Sequence, residues 1–450
     1  MSATSVVVIA AYLVFIGIPY LRRLKISERH YGAFAVGRHN YNWFWILCGL
    51  SATYVGGAAV LNLPSLGYTY GWYGLADVLP TSIALLISAV VLAPLSQRKN
   101  ALSLGTFLRG RSGIVVFTVG LLSGVVYTLI TAAQIVALTT ALHPYVPIEK
   151  SILATISTIG VLAYIYIGGY ESVTFTDVIQ FLCMIFMYFI PVGLLAILYK
   201  TEVQVAPIVT TPMAPDLIVL LGIPLLFVPV SQDLHIRLHS ARSLNDSRYG
   251  TLLAGVAYLL FGIISVGIGV LLAKHGVYLA SPDDAVPEFL RITFGGMSFI
   301  PTIAILAVIL STLDSMIFAA SAAIGYEVWD TLFHRNEDED SHSAQRASII
   351  ISAIALFIAL QAPRILALIL PALVIYIAVL LPLLLAFVLK VDERKAAITA
   401  LITLVVVAVL EAFSISIPYR VFVYTAIHSL AVICMRTWKY IIGGSRGNPT

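Results

Sequence analysis

Charge is scarce in this chain: only 11% of its 450 residues are Asp, Glu, Lys or Arg. Soluble domains carry about 25%, so an ordinary water-exposed surface is excluded. Cysteine is scarcer still; Cys48, Cys183 and Cys434 all fall in apolar runs, show no metal-ligand spacing and read as small core residues. The nine His residues are scattered. His235 and His239 have helical spacing, but they lack a Glu partner and lie in a basic stretch, which predicts a solvated or phosphate-facing role and not a metal site. Gly-rich phosphate loops, nucleophile elbows and kinase signatures are missing, and no polar stretch is long enough to house a soluble catalytic domain. With no converging acid, base and nucleophile, an enzyme is not expected.

What fills the chain is apolar: 60% of its residues are hydrophobic and the mean hydropathy is +0.98. This is the composition of an all-α integral membrane protein. Runs that suit spanning helices, at roughly 20 residues per crossing, number about thirteen. They cover residues 3–20, 42–66, 74–97, 114–142, 149–168, 174–199, 215–231, 249–273, 299–328, 347–362, 365–389, 396–413 and 417–435. The first run has no basic segment before it and no small-residue cleavage site after it, and Arg22, Arg23 and Lys25 follow directly. It reads as a retained helix with its N-terminus outside. Most of the 26 basic residues then fall on the cytoplasmic side, among them Arg98, Lys99, Arg237, Arg242, Lys390 and Arg436, as the positive-inside rule requires. Lys150, Lys200, Lys274, Arg291, Arg364 and Arg420 fall outside. A multi-pass protein of the cell (plasma) membrane, with a cytoplasmic C-terminus, follows. The net charge of +4 is explained by that asymmetry, without nucleic acid as a partner; the lipid bilayer is the partner.

Within the run 299–328 the segment Ile309-Leu310-Ser311-Thr312-Leu313-Asp314-Ser315-Met316 sets three hydroxyls and a carboxylate at membrane depth. Such groups are expensive in hydrocarbon and mark ion, proton or substrate paths, although each hydroxyl can also bond back one turn along its own helix. Two other runs are interrupted: that from Tyr41 by Gly56-Gly57, Asn62 and Pro64, and that from Leu217 by Gly222, Pro224 and Pro229. Broken hydrophobic segments at matching places in two halves point to a transporter's binding site. They lie five helices apart, so the second copy starts from the opposite side of the membrane and the two are inverted. The division is residues 1–40 as an N-terminal helix and inner amphipathic segment, 41–200 as the first five-helix repeat, 201–390 as the second, and 391–450 as two C-terminal helices and a tail.

Three further polar residues stand out. Asp77, near the outer end of its helix, reads either as facing a vestibule or as an interfacial cap. Gln134 either bonds a neighbouring helix or lines the pathway. Asp177 follows the tight turn at Gly168-Gly169 and reads as a helix cap or as a carboxylate at the inner mouth of a cation path, roles that are compatible.

Taken in order, Ser27 to Arg38, Ser103 to Gly113, Gly168 to Gln180, Gln232 to Ser243, Ser281 to Pro287 and Ala307 to Ser315 resemble the sodium:solute symporter family, whose members have a LeuT-type fold with flanking helices. The resemblance implies a sodium-coupled secondary active transporter that imports a small organic solute by alternating access. It implies Na+ held by backbone carbonyls at Ala52 and Val55 and by Val308, Ser311 and Thr312, in keeping with a small hard cation's demand for oxygen ligands. Val308 offers no hydroxyl for the second sodium that some members resemble in holding near the carboxylate matching Asp177. Tyr54 stands where proline-transporting members carry Asp, and Pro224 to Pro229 lacks the polar groups associated with sugar recognition. A sugar's hydroxyls would go unpaired against that wall. The expected solute is therefore small and partly apolar, a monocarboxylate or an amino acid, set among Tyr54, Gly56, Gly57, Gln134 and Phe227. Asp314 lies one turn nearer the cytoplasm than Ser311 and reads as an inner-gate or release-path residue, with Asp177 and Asp77 as further ion-path candidates. A proton-coupled symporter with one of those carboxylates as carrier, and a transporter-like solute sensor, are the competing readings.

Overall fold

The computed structural model describes residues 40–96, 103–108, 113–190 and 214–391 apart from short gaps, with parts of 6–17 and 398–432. Ser27 to Arg38, Cys434 and most of the last two hydrophobic runs lie outside the described residues. Among the described residues the regular structure is helical, and six helices are long and apolar enough to cross a membrane.

The first interrupted run folds as two helices. Helix α1 (Trp43–Tyr54) starts at Asn42, whose Oδ1 accepts from the N–H groups of Phe44 and Trp45 at 3.1 and 3.4 Å and so satisfies two of the donors every helix start leaves open. It stops at Val55, and Gly56 is extended (φ −72°, ψ 176°) before α2 (Gly57–Tyr70) begins. Helix α3 (Leu75–Ser96), the short α4 (Leu104–Leu108) and α5 (Gly113–Leu142) follow.

The next two expected helices are the two helical parts of α6 (Lys150–Met184), separated by a kink at Gly169, whose φ of 54° and ψ of −147° favour glycine. Tyr164 and Thr176 both donate to the same oxygen of Asp314. In a straight helix they would stand about 18 Å apart, so the chain folds back at Gly169. The expected tight turn is thus a single residue.

The second interruption is sharper than its sequence suggests. Helix α7 (Ala214–Phe227) gives way to a 3-10 turn over Val228–Val230 and an extended Ser231, and the chain resumes as α8 (Gln232–Ser240). Pro229 has no N–H to continue the ladder. Every residue of α8 is buried, which corrects the expectation of a solvated, basic inner segment: Gln232 to Ser240 is the second half of a broken core helix. His235 and His239 flank the Phe107 ring at 5.1 and 5.4 Å between centroids instead of facing solvent or phosphate.

Helix α9 (Leu244–Lys274) packs against α1, α2 and α3. A short α10 (Ala285–Phe294) precedes α11 (Phe299–Ala322), which packs against α5 and α6 and is buried along its most apolar stretch. Helices α12 (His342–Gln361) and α13 (Ile365–Val388) cover α5. Helix α1 touches α6, α9 and α11 together, so its interruption lies at the centre of the molecule. The start of α1 is tied to the end of α8 by Tyr41 N–H to the Ser240 carbonyl (3.2 Å) and Arg242 N–H to the Tyr41 carbonyl (2.9 Å).

Candidate ion and solute site

Four helices deliver polar side chains to one buried knot. From α8, the Arg237 guanidinium donates through one nitrogen to Asp177 Oδ2 of α6 at 2.8 Å, Thr53 Oγ1 of α1 at 2.7 Å and Ser315 Oγ of α11 at 2.9 Å. Thr53 in turn donates to Ser315 at 3.1 Å. The other Asp177 oxygen accepts from Ser311 Oγ at 2.5 Å. Asp177 and Arg237 are 0% and 3% exposed, so an ion pair stands where isolated charges would not survive. Gly49 makes room for it, since a Cβ there would lie 2.6 Å from Arg237 Nε.

Thr312 lies beside the interruption of α1. Its hydroxyl is 3.2 Å from the Val308 carbonyl and 3.5 Å from that of Thr53, and a Cβ on Gly56 would come within 2.6 Å of it. Ser311 and Thr312 therefore point to different partners: Thr312 to the α1 break and Ser311 to Asp177. One turn on, Asp314 Oδ2 accepts from Tyr164 at 2.6 Å and Thr176 at 2.9 Å, while its Oδ1 has no hydrogen-bond partner among the described residues.

A second polar group gathers at the interruption of α7 and α8. Tyr54, the last residue of α1, shares a 2.7 Å hydrogen bond with Ser231. Asp233 accepts from Tyr127 of α5 at 2.5 Å. Tyr376 of α13 donates to the Val230 carbonyl at 2.8 Å, and its ring lies 5.6 Å from that of Phe227. Just beyond, Gln232 donates to Glu327 at 2.9 Å and accepts from Leu104 N–H at 3.1 Å, and Glu327 accepts from Gly105 N–H at 3.0 Å. These bonds pin α4 to α8 and to the end of the α11 segment.

Val308 and Thr312 lie on α11 beside the α1 break, where Ala52, Tyr54, Val55 and Gly56 stand, Ser311 turns to Asp177, and Phe227 closes α7 at the other break. Gln134 lies two turns after Tyr127 on the same face of α5, its Oε1 buried without a partner among the described residues. Asp77 sits in the first turn of α3, outside the two polar groups. Asp177 is corrected from a helix cap: it stands eight residues past Gly169, beyond the open donors of a helix start. Arg237, expected as a cytoplasmic-side charge, is instead a buried ion-pair member, because Asp177 compensates it. The sequence reading missed Thr53, Tyr127, Tyr164, Asp233, Glu327 and Tyr376. The spacing of Gln232, Asp233, Ile236, Arg237 and Ser240 at helical intervals was the available signal.

A family model described as the sodium:solute symporter family matches residues 34–403. No curated protein matches the chain. Among solved structures it is similar to a Na+-coupled sialic acid symporter in a substrate-bound, outward-open state, with a TM-score of 0.77, 13% sequence identity and 98% of each chain covered. A nucleobase-cation-symport-1 family transporter in a closed conformation with bromovinylhydantoin bound matches with a TM-score of 0.59 and 14% identity, covering 92% of this chain and 96% of that one. At such identities the likeness speaks for the fold alone.

Proposed function

This chain belongs to the sodium:solute symporter family, has the LeuT-type fold and is a sodium-coupled symporter; from that premise we propose that sodium, a co-substrate of each cycle, binds where the break in α1 meets α11. Its ligands are the backbone carbonyls of Ala52, Val55 and Val308 and the hydroxyls of Ser311 and Thr312. The observation that carries this is the Thr312 hydroxyl, buried 3.5 Å from the Thr53 carbonyl against an interrupted helix. Carbonyls released from a helical ladder can replace an ion's water shell, and irregular backbone is tolerated at membrane depth only where protein or a cavity surrounds it. Ser311 donates its O–H to Asp177 in a hydrogen bond, which leaves the oxygen's lone pairs for a cation. With Asp177 already neutralised by Arg237 and Val308 lacking a hydroxyl, this region takes one sodium.

The solute occupies the space between the breaks, bounded by Tyr54, Gly56, Gly57 and Phe227, with Gln134 further along. It is small and partly apolar, a monocarboxylate or an amino acid, since the side chains from Pro224 to Pro229 offer no hydrogen bonds. Residues 41–200 and 201–390 act as the two inverted repeats whose rocking alternates access. Sodium binds first and favours the outward-open state, and its differential affinity for the two states sets the coupling. We place the protein in the cell membrane with its N-terminus outside and its C-terminus in the cytoplasm. Thermal unfolding of the purified protein in sodium against potassium tests the site. Sodium is expected to stabilise the wild type and to lose that effect in Ser311→Ala and Thr312→Ala; an unchanged sodium response in both variants would overturn the assignment.

A further inference from the structure

Asp233 has no part in the sodium site, yet it stands at the other interruption in an unusual condition. It lies in the first turn of α8, directly after the break at Val228–Val230, and is 3% exposed. Its Oδ1 accepts from Tyr127, whose oxygen accepts in turn from the Asp233 N–H at 3.4 Å. Oδ2 is sealed from solvent and has no hydrogen-bond partner among the described residues. An acid in a first helical turn is favoured by the helix dipole. The backbone N–H groups of Asp233 and Leu234 face the carboxylate in that way, but no side chain among the described residues donates to Oδ2.

The charges nearby sharpen the point. Arg237 is the one buried Lys or Arg among the described residues, and one of its three guanidinium nitrogens donates to Asp177, Thr53 and Ser315. Asp314 draws its donors from Tyr164 and Thr176. Asp233 thus shares Arg237, one turn further along α8, with Asp177 and makes no direct ion pair of its own among the described residues.

Around Asp233 stand aromatic rings from four elements. Tyr54 of α1 reaches Ser231, two residues before it; Tyr127 of α5 bonds it directly; Tyr376 of α13 lies 6.5 Å from the Tyr127 ring; and Phe227 of α7 lies 5.6 Å from Tyr376. A buried carboxylate ringed by tyrosine hydroxyls suits an organic cation, because the carboxylate supplies the ion pair and the hydroxyls offer further oxygen acceptors. It disfavours a bare carboxylate, which would bring like charge into a site of low dielectric.

We propose that the transported solute carries an ammonium group and that Asp233 receives it through its unpartnered oxygen, with Tyr54, Tyr127 and Tyr376 as the walls. This deepens, and rests on, the reading of the two breaks as the solute site. Within the classes that the apolar wall permits, it selects amino acids and small amines over monocarboxylates.

The test measures thermal unfolding of the full-length protein with choline, ethanolamine, L-alanine, propionate and glucose, each in sodium and in potassium. At least one ammonium probe is expected to stabilise the wild type in sodium, while propionate and glucose do not. Asp233→Asn is expected to raise that probe's half-saturating concentration about tenfold or more, and Asp233→Glu, which keeps the charge, to lose less. The idea is overturned if no ammonium probe stabilises the wild type, if propionate or glucose does so as well, or if Asp233→Asn responds like the wild type. Sodium alone separates this from the parent reading: a wild type that sodium does not stabilise counts against the sodium site, whereas one that responds to sodium but to no ammonium probe counts against Asp233.

Discussion

Replacing Arg237 by Met removes the cation of the buried knot while keeping an unbranched stem of similar reach. Asp177, 0% exposed, is then met only by the Ser311 hydroxyl and must either hold its charge uncompensated or take up a proton. Breaking a buried pair on one side costs about 3–5 kcal/mol. At about 2 °C per kcal/mol, the shift expected of larger domains, the unfolding temperature falls by roughly 6–10 °C. Removing both charges in Arg237→Met/Asp177→Asn takes away the uncompensated carboxylate, so the double variant recovers most of that loss and the cycle gives a coupling on the order of 3 kcal/mol. Sodium adds a second signature. In Arg237→Met the freed carboxylate sits beside the proposed ion ligands, so sodium substitutes for the guanidinium and the deficit shrinks as sodium rises, following the logarithmic dependence of ligand stabilisation. Differential scanning fluorimetry in sodium and potassium reads all of this. A single-variant loss below about 1 kcal/mol, or additive single and double losses, would refute the view that Asp177 and Arg237 hold each other in place.

Gly56→Ala places a Cβ 2.6 Å from the Thr312 hydroxyl, so it should raise the half-saturating sodium concentration at least about tenfold, equivalent to about 1.4 kcal/mol, as read by sodium titration of unfolding. Tyr164→Phe and Thr176→Val each strip a donor from buried Asp314 and should each cost about 1–3 kcal/mol, with the pair costing less than the sum, as a double-mutant cycle would show. Glu327→Gln keeps the side-chain shape but offers a weaker acceptor to Gln232 and to Gly105 N–H; the tie between α4 and α8 loosens, and amide exchange over residues 104–108 should accelerate. In proteoliposomes a pH gradient without sodium should drive no accumulation of the ammonium probe that binds, which separates sodium coupling from the proton-coupled alternative.

Both interruptions could be read in the sequence because glycine and proline act locally: Gly56-Gly57 and Pro229 mark the breaks whatever packs around them. Ser311 and Thr312 were legible for a similar reason, as hydroxyls in an apolar run. What stayed hidden depends on contacts between distant segments. Arg237 looks like a loop charge until Asp177, 60 residues earlier, is folded against it, and α8 looks soluble because a hydropathy window averages over paired charges. Asp177 resembles a cap in the sequence because the apolar run resumes only near residue 174, whereas the helix restarts directly after Gly169. Asp233 was legible only as part of a polar segment; its buried, unpartnered oxygen appears once Tyr127 of α5 is beside it.

Equilibrium binding of radioactive sodium to the purified protein puts the central claim to the most direct test. Saturable binding is expected in the wild type, with Thr312→Ala and Ser311→Ala each weakening it by at least about tenfold. Undiminished sodium binding in both variants would contradict a site built from the α1 break and the hydroxyls of α11.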